Sequence, residues 1–165
     1  MVLNDRKKVL SILKQLDISY EIYEHPPTPS IKEAIKYWGK MEATHCKNLF
    51  FRNHKGNQHY LVIFEHQKQL AIKDLEQMLK QGKLSFASEK RMAKYLGIIP
   101  GSVSLFGLIN DIENHTTVFL DEKLLQSDSI SFHPNDNTAS VKISQQDFRK
   151  FLDWSGNEYH FLKLY

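Results

Sequence analysis

The chain has 165 residues, of which 41% are hydrophobic, 12% aromatic and 25% charged. These values are typical of one globular domain of ordinary size, and they exclude general disorder. Lysine and arginine number 22 against 19 acidic residues, a net charge of +3, so a basic surface for a nucleic acid is permitted but not required. The single cysteine excludes an internal disulfide framework and a cysteine-rich zinc site. We expect one domain over residues 1–165.

The sequence predicts neither a membrane segment nor a secretion signal. No apolar run approaches the ~20 residues that a membrane helix needs. The apolar residues of the first 18 positions are spaced rather than contiguous, and no small-residue cleavage site follows them. We therefore expect no membrane association and a cytoplasmic location, where a lone thiol stays reduced.

The first half of the chain alternates helical and extended patterns. Apolar residues recur at helical spacing from Val9 to Leu16, which predicts an amphipathic helix. Ser30 and Glu33 form a capping box, and the prolines at 26, 27 and 29 predict a surface loop before it. The predicted elements are a helix at 9–16, a strand at 19–24, a short helix from 30, a hairpin of strands 47–53 and 60–65 around a turn at 54–57, and a helix at 74–79 that Gly82 ends.

The second half mixes further hairpins with helices. Its predicted elements are a strand at 84–87, a helix capped by Ser88 and ended by Gly97, a loop at 97–102, strands at 103–109 and 116–120 around a turn at 110–111, a hairpin of strands 130–133 and 138–143, a helix from Ser144 to about Trp154, and a closing strand at 158–164. This order lacks the strict strand–helix alternation of a doubly wound sheet. We expect an α+β fold with a mixed, curved sheet and surrounding helices.

The common catalytic signatures are absent from the sequence. It contains no phosphate-binding GxxxxGKS or GxxxxGKT, no GxGxxG, no HExxH and no GxSxG. The eight histidines have no partners at the spacing of known metal ligands, so we predict neither a metal site nor a cofactor. Cys46 beside Lys47 has two interpretations, a reactive thiolate or a small half-buried residue at a strand start, and the second is favoured.

Two segments are compatible with more than a structural role. Lys47 stands at the mouth of an apolar strand, where a lysine is usually solvated. Residues 97–103 place two glycines around Pro100 after a helix, a pattern that can align main-chain N–H groups as an anion-binding concavity. The same pattern is also typical of a helix stop followed by a turn. Each segment alone is a weak signal.

Taken together, the ordered motifs of this chain resemble a known family. The motifs are residues 24–27 (EHPP), 47–50 (KNLF), 84–88 (LSFAS), 97–103 (GIIPGSV), 106–111 (FGLIND), 132–134 (FHP) and 137–140 (NTAS). They resemble the prolyl-tRNA editing domain family, the superfamily of the YbaK protein and of the insertion domain of bacterial prolyl-tRNA synthetase. The resemblance extends from about Leu16 to Phe151 and is greatest to the free-standing Ala-tRNA(Pro) deacylases. Leu105 departs from the family pattern, which often has proline there.

The resemblance implies a trans-editing enzyme with the α+β fold of that family. A proline-activating site rejects the smaller alanine by only about 1–3 kcal/mol, so a second site must hydrolyse the mischarged ester. By the family pattern, Lys47 and Asn48 are the expected catalytic residues. Those expected to bind substrate are Gly97, Pro100, Gly101, Ser102 and His133. The implied partners are the acceptor end of aminoacylated tRNA(Pro) and, as a further candidate, prolyl-tRNA synthetase.

The role of Lys47 and the choice of substrate remain open at this point. The ammonium can hold the phosphate or ribose of the terminal nucleotide, or it can stabilise charge on the ester oxygen. His133 is expected to position groups rather than act as a general base, or to be satisfied within a turn. The alternatives to alanine editing are a deacylase for Cys-tRNA(Pro) or another aminoacyl-tRNA, a non-catalytic module that binds tRNA or the synthetase, and a small-molecule hydrolase.

A basic surface for the acceptor stem is a further hypothesis. Its candidate residues are Lys32, Lys36, Lys40, Arg52 and Lys55. Runs of charge are usually solvated faces, so none of these lysines and arginines is individually indicated as a contact. The aromatic residues of the predicted strands are interpreted as core rather than as base-stacking platforms.

Overall fold

Residues 5–28, 30–39 and 41–165 are described by a computed structural model of the chain. The third proline of the predicted loop, Pro29, and one candidate basic residue, Lys40, lie outside these residues. The helices are α1 (Asp5–Gln15), α2 (Ile31–Trp38), α3 (Ile72–Leu79), α4 (Glu89–Leu96) and α5 (Gln145–Ser155). The strands are β1 (Glu21–Glu24), β2 (Thr44–Arg52), β3 (His59–Glu65), β4 (Ser85–Phe86), β5 (Thr117–Asp121), β6 (Ser129–Phe132), β7 (Ala139–Ser144) and β8 (Tyr159–Leu162).

The strands form one mixed sheet in the order β1-β7-β6-β2-β3-β5-β8, with β4 paired to β2. Antiparallel pairing joins β2 to β3, β2 to β4, β6 to β7 and β1 to β7. Parallel pairing joins β2 to β6, β3 to β5 and β5 to β8. The expected α+β fold with a mixed sheet is confirmed. No helix among the described residues is long and apolar enough to cross a membrane.

The two faces of the sheet carry separate hydrophobic clusters. Phe50 and Phe51 are neighbours on β2 and belong to different clusters, because successive side chains of a strand point to opposite faces. On the Phe50 side, α1, α4 and α5 bury apolar side chains such as Leu96 and Phe148. On the Phe51 side, α3 packs through Leu75. The amphipathic helices therefore cover both faces of the sheet.

Along one edge, the middle of β2 is not paired with a neighbouring strand. On the side away from β3, β2 pairs with β6 only at residues 44–45 and with β4 only at residues 51–52. On the β3 side the pairing is continuous from residue 46 to residue 52. The sheet therefore opens beside residues 46–49, and the candidate site lies at this opening.

Local signals in the sequence specify several helix ends. The hydroxyls of Ser30, Ser88 and Ser144 each accept a hydrogen bond from the main-chain N–H three residues later, as predicted for N-caps. Gly97 ends α4 with a left-handed φ of 63°, also as predicted. The predicted stop at Gly82 is wrong, because α3 ends at Leu79 and Lys80, the residue that follows it, adopts a left-handed φ of 54°.

The predicted strand at 103–109 is also wrong. Residues Leu105–Asn110 form a 3-10 helix, and a second 3-10 helix at Glu122–Gln126 was not predicted. The Ser104 hydroxyl caps the first turn by accepting from the N–H of Phe106 at 3.1 Å. All residues from 105 to 109 are buried, so this apolar run has no amphipathic period that could separate strand from helix. Leu105, the departure from the family pattern, is fully buried in the core.

Two buried histidines are kept neutral by the fold. Burial is the main cause that lowers the pKa of both His45 and His59 to about 4. Since an unfolded histidine titrates near 6.5, the unfolded chain binds protons between pH 6.5 and 4 that the folded chain does not. The stabilisation from the neutral histidines is therefore fully present above pH 6.5. At pH 5 the free energy of unfolding is expected to be lower by about 1–2 kcal/mol per histidine.

Urea unfolding near pH 7.5 and near pH 5 measures this difference in stability. The difference should shrink in His59→Gln, because that variant has one fewer group that takes up a proton on unfolding. An equal difference in the variant and the wild type would contradict the assignment for His59.

Candidate active site

A cleft of about 150 Å³ lies at the opening of the sheet, between α2, β2 and the loop that follows α4. It is lined by Thr28, Ser30, Ile31, Ala34, Trp38, Cys46, Asn48, Leu49, Gly101, Val103 and His133. Three of the residues predicted for the site, Asn48, Gly101 and His133, are therefore brought together from distant parts of the chain. The lining is mostly apolar with a few polar groups, which is typical of a small-ligand site.

Helix α2 forms the apolar wall of the cleft. Ile31, Ala34 and Trp38 lie on its inner face, and Ala34 is 2% exposed. The Trp38 indole stacks on His45 with ring centroids 4.5 Å apart and nearly parallel planes. The His45 ring is held in turn by the Ser131 hydroxyl at 2.5 Å and the Met41 carbonyl at 3.3 Å. The C-terminal end of the wall is therefore anchored to the sheet.

Asn48 offers the cleft an acceptor without a protein partner. Its side-chain oxygen is buried and makes no hydrogen bond within the described part of the chain. Its amide nitrogen has only a long contact of 3.5 Å to the Cys46 carbonyl. A buried polar atom without a partner costs about 1–3 kcal/mol, so such an atom beside a cleft is suited to bind a donor on a ligand.

The main-chain groups of Cys46 and Asn48 also face the opening. The His45 carbonyl is bonded on the β3 side, whereas the Phe50 carbonyl accepts from the N–H of Ala87 on the opposite side. Main-chain groups alternate sides along a strand. The N–H and C=O groups of residues 46 and 48 therefore point to the side where β2 lacks a neighbour, within reach of a bound ligand.

His133 presents a neutral imidazole to the cleft. Its Nδ1–H donates to the Ala139 carbonyl at 2.8 Å, which leaves Nε2 as an acceptor in the neutral ring. Burial is the largest cause that lowers the pKa of His133, and the nearby His25, with its ring centroid 6.1 Å away, acts in the same direction. His133 therefore remains uncharged at neutral pH and can accept a hydrogen bond at Nε2.

Of the four loop residues predicted to bind substrate, one, Gly101, lines the cleft, and Val103 of the same loop joins it. Gly101 lines it with a left-handed φ of 86°. Ser102 is buried and its N–H is bonded to the Ile99 carbonyl, while Pro100 is exposed. At Gly97 a Cβ would lie 2.6 Å from the Asn110 amide nitrogen, so glycine is required there by packing and by its φ. Substrate contacts by Gly97, Pro100 and Ser102 remain predictions.

Lys47 lies outside the lining of the cleft. It alternates with Cys46 and Asn48 along β2 and shares its face of the sheet with Leu49, which does reach the cleft at the open edge of the strand. Its ammonium donates to the Lys68 carbonyl at 3.4 Å and lies 5.8 Å from the centre of the Phe64 ring. Both contacts are weak, and the side chain is partly exposed. The structure thus separates the two residues that the family pattern predicts to be catalytic.

Two features of the cleft were not predicted from the sequence: the helix residues that form its wall, and the presence of the Cys46 thiol in its lining. Ile31, Ala34 and Trp38 are apolar residues of an amphipathic helix and carry no chemical signature, although the capping box did locate the helix. Cys46 lines the cleft and is buried rather than half-buried as expected, and this burial raises the pKa of the thiol, which disfavours the alternative of a reactive thiolate. Within residues 5–28, 30–39 and 41–165, no three histidine, cysteine or acidic side chains are placed to hold a metal ion.

Comparison with known proteins gives concordant results. The model of the aminoacyl-tRNA editing domain family matches residues 25–151. The chain is 37% identical to the prolyl-tRNA editing protein ProX of Acetoanaerobium sticklandii over 99% of its own length and 100% of that protein. It is 30% identical to the prolyl-tRNA synthetase associated domain-containing protein 1 of Mus musculus over 88% of each chain.

The same fold occurs in a solved structure. A crystal structure described as that of a candidate trans-editing enzyme for prolyl-tRNA synthetase superposes with a TM-score of 0.72 over 96% of both chains, at 20% identity. At that identity the similarity concerns the fold alone. The family match covers most of the chain and includes every residue that lines the cleft. The chain therefore belongs to the aminoacyl-tRNA editing domain family, which confirms the hydrolase class expected from its motifs.

Proposed function

We propose that the chain is a trans-editing deacylase that hydrolyses the ester of Ala-tRNA(Pro) to alanine and free tRNA. The observation that carries the proposal is the small, mostly apolar cleft that joins an unpartnered Asn48 oxygen to a neutral His133. The relative at 37% identity is a prolyl-tRNA editing protein, which supports tRNA(Pro) as the nucleic acid. Family membership supports an aminoacyl ester as the bond that is cleaved.

The size of the cleft supports alanine as the amino acid. An apolar cavity of roughly 150 Å³ can hold benzene, so the cleft has room for an alanyl group, and the exclusion of proline depends on the shape of its wall rather than on its total volume. A prolyl group adds two ring carbons that would have to lie against Ile31, Ala34 and Trp38. Because Trp38 is fixed on His45, the wall resists displacement at that end. The cleft is therefore expected to admit alanine and to exclude proline.

The polar groups of the cleft match the polar groups of the substrate. The α-ammonium of the alanyl ester would donate to the buried Asn48 oxygen. The main-chain N–H groups of residues 46 and 48 lie on the side where the ester carbonyl would be bound, and they would stabilise the negative charge that develops on its oxygen. The attacking water adds to the carbonyl carbon and gives up one proton, the bond to the ribose oxygen breaks, and that oxygen takes up a proton to become the free hydroxyl, while the water oxygen stays in the carboxyl group of alanine.

His133 would position the attacking water. Its Nε2 is an acceptor at neutral pH, since Nδ1 carries the proton that is given to Ala139. A hydrogen bond from the water to Nε2 orients one oxygen lone pair toward the ester carbon. Gly101 lies on the same cleft and brings the loop main chain close to the substrate.

Lys47 is proposed to hold the terminal nucleotide. Since it lies outside the cleft lining, its ammonium is better placed for a phosphate or ribose at the rim than for the ester oxygen within. Its present contact with the Lys68 carbonyl is long and readily exchanged for a charged partner. Lys47 would then act as a positioning residue for the ester.

Enlarging the wall should weaken the exclusion of proline. In Ile31→Ala the cleft loses three side-chain carbons at the place where the prolyl ring must lie. We expect kcat/KM for Pro-tRNA(Pro) to rise about tenfold, since a pocket discriminates one or two methylenes by about 1–3 kcal/mol. Ile35→Ala is the matched control, because Ile35 lies on the same helix, is 50% exposed and does not line the cleft. Equal rates in the two variants would contradict the size argument.

A multiple-turnover experiment distinguishes the proposed enzyme from a module that only binds tRNA. The chain at one hundredth of the concentration of labelled Ala-tRNA(Pro) should release many equivalents of alanine. Retention of the charged tRNA without release would support the binding module instead. Release from free alanyl esters at a rate comparable to that from the tRNA would support a small-molecule hydrolase.

A further inference from the structure

Two arginines meet at the tip of the β2–β3 hairpin. Arg52 is the last residue of β2, and Arg91 lies in the first half of α4. Both guanidinium groups pack against Gly56 in the turn. A Cβ built on Gly56 would lie 2.9 Å from Nη2 of Arg91 and 3.4 Å from Nη1 of Arg52. The two cationic nitrogens are therefore close to each other on one partly exposed surface, with the exposed Lys55 beside them in sequence.

The arginines have no carboxylate to balance their charge. Across the described residues, neither guanidinium has an Asp or Glu oxygen within 4.0 Å. The nitrogens donate instead to neutral groups, Arg52 to the carbonyls of Asn53 and His54, and Arg91 to the Gly56 carbonyl at 2.7 Å. Two like charges at this separation repel, so an anion between them would be strongly attracted.

The surface is held in a fixed geometry before any ligand binds. The Asn53 side-chain oxygen accepts from the N–H groups of Asn57 and Gln58, both at 3.0 Å, and closes the turn. Nη1 of Arg91 also donates to Nε2 of the buried His59 at 2.9 Å. The guanidinium of Arg91 is therefore fixed by two bonds, and little side-chain freedom remains to be lost when an anion binds.

The position of the pair relative to the cleft suits a nucleic-acid strand. Arg52 follows Asn48 by four residues on β2, a distance of about 13 Å along the strand. Both side chains lie on the same face of the sheet, because they are an even number of residues apart. A strand whose terminal nucleotide sits at the cleft would therefore bring a backbone phosphate of a preceding nucleotide to the hairpin tip.

We infer that Arg52 and Arg91, on either side of Gly56, bind a backbone phosphate of the tRNA strand that carries the amino acid. This inference rests on the proposed function, because it takes the aminoacyl end to lie in the cleft. The phosphate accepts hydrogen bonds from both guanidinium groups and compensates their repulsion. The site supplies affinity for tRNA and contributes nothing to the chemistry at the ester.

The test compares Arg52→Gln with Arg149→Gln, which loses the same charge from an exposed position on α5. With Ala-tRNA(Pro), Arg52→Gln should raise KM about three- to tenfold and leave kcat unchanged. The slope of log KM against log salt concentration should fall by about 0.7–0.9, the value of one phosphate contact. Arg52→Lys should retain most of the affinity. On 3′-alanyl-adenosine, which lacks the preceding phosphates, the variant and the wild type should be equal.

Three results would overturn the inference. Arg52→Gln and Arg149→Gln could give the same KM and salt slope. The short substrate could lose as much as the tRNA, which would place Arg52 at the ester or in the stability of the fold. Capture by prolyl-tRNA synthetase could weaken while tRNA binding is unchanged, which would make the surface a protein contact. If the wild type hydrolyses neither substrate, the proposed function fails, and filter binding of uncharged tRNA(Pro) to the same variants still decides the role of Arg52.

Discussion

Asn48→Ala is expected to lower kcat/KM for Ala-tRNA(Pro) by about 100-fold. The variant removes the acceptor that would hold the α-ammonium of the alanyl group, and a hydrogen bond to a charged group is worth about 1.5–3 kcal/mol. Misplacement of the ester adds to this loss, because hydrolysis requires the carbonyl to face the water. Single-turnover release of labelled alanine measures the effect.

A measurement of thermal stability distinguishes a substrate-binding role of Asn48 from a structural one. The Asn48 oxygen is buried and unpartnered, so its removal relieves a desolvation cost, and the melting temperature should be unchanged or higher. Asn48→Asp retains an acceptor and should be more active than Asn48→Ala. A variant that is destabilised in proportion to its loss of activity would contradict the assignment of Asn48 to substrate binding.

Lys47→Ala is expected to lower kcat for Ala-tRNA(Pro) by about 100-fold while the affinity for tRNA changes less than about threefold. One charged contact to the reacting nucleotide orients the ester, whereas affinity is distributed over many phosphate contacts. Rates at saturating substrate give kcat, and filter binding of uncharged tRNA gives the affinity. Lys47→Arg should restore part of kcat, because it keeps the charge.

The matched control for Lys47 is Lys73→Ala, an exposed lysine on α3. It has the same change in charge and is not among the residues that line the cleft. It should therefore leave both kcat and affinity unchanged. A Lys47→Ala variant whose KM and dissociation constant rise together, with kcat intact, would show that Lys47 only binds.

Most of the fold could be predicted because its signals are local. Serines before helices, the turn at 54–57 and the alternation on β2 and β3 each specify an element within a few residues. The 3-10 helix at Leu105–Asn110 could not be predicted, because its conformation depends on distant groups. The Asn135 amide, which donates to the Phe106 carbonyl at 3.2 Å, comes from the β6–β7 turn.

The site was predicted only in part, for a similar reason. The motifs located Asn48, Gly101 and His133, which do meet at one cleft. The cleft itself exists because β2 is paired with β6 and β4 only at its ends, and such pairing is not visible in a linear sequence. Lys47 is not among the lining residues although Leu49, which shares its face of the sheet, is, so the alternation of side chains along β2 does not by itself specify which of the two reaches the cleft.

The candidate basic residues also show that the sequence alone does not specify which side chains share a surface. Lys32 and Lys36 lie on α2, where Lys36 is paired with Glu33 at 3.3 Å, whereas Arg52 and Lys55 belong to the β2–β3 hairpin. The sequence placed these residues in one hypothetical surface. Arg91 is the second arginine at the tip of the β2–β3 hairpin and was not among the basic residues predicted for that surface. Its position there depends on the packing of α4 against Gly56.

The most direct test of the account is the release of amino acid by the wild-type chain from four substrates measured side by side. These are Ala-tRNA(Pro), Cys-tRNA(Pro), Pro-tRNA(Pro) and Ala-tRNA(Ala). A cleft sized for an alanyl group on tRNA(Pro) predicts fast release from the first and at least about tenfold slower release from Pro-tRNA(Pro). Release of proline as fast as alanine, or release of cysteine alone, would contradict the assignment of the cleft to alanine.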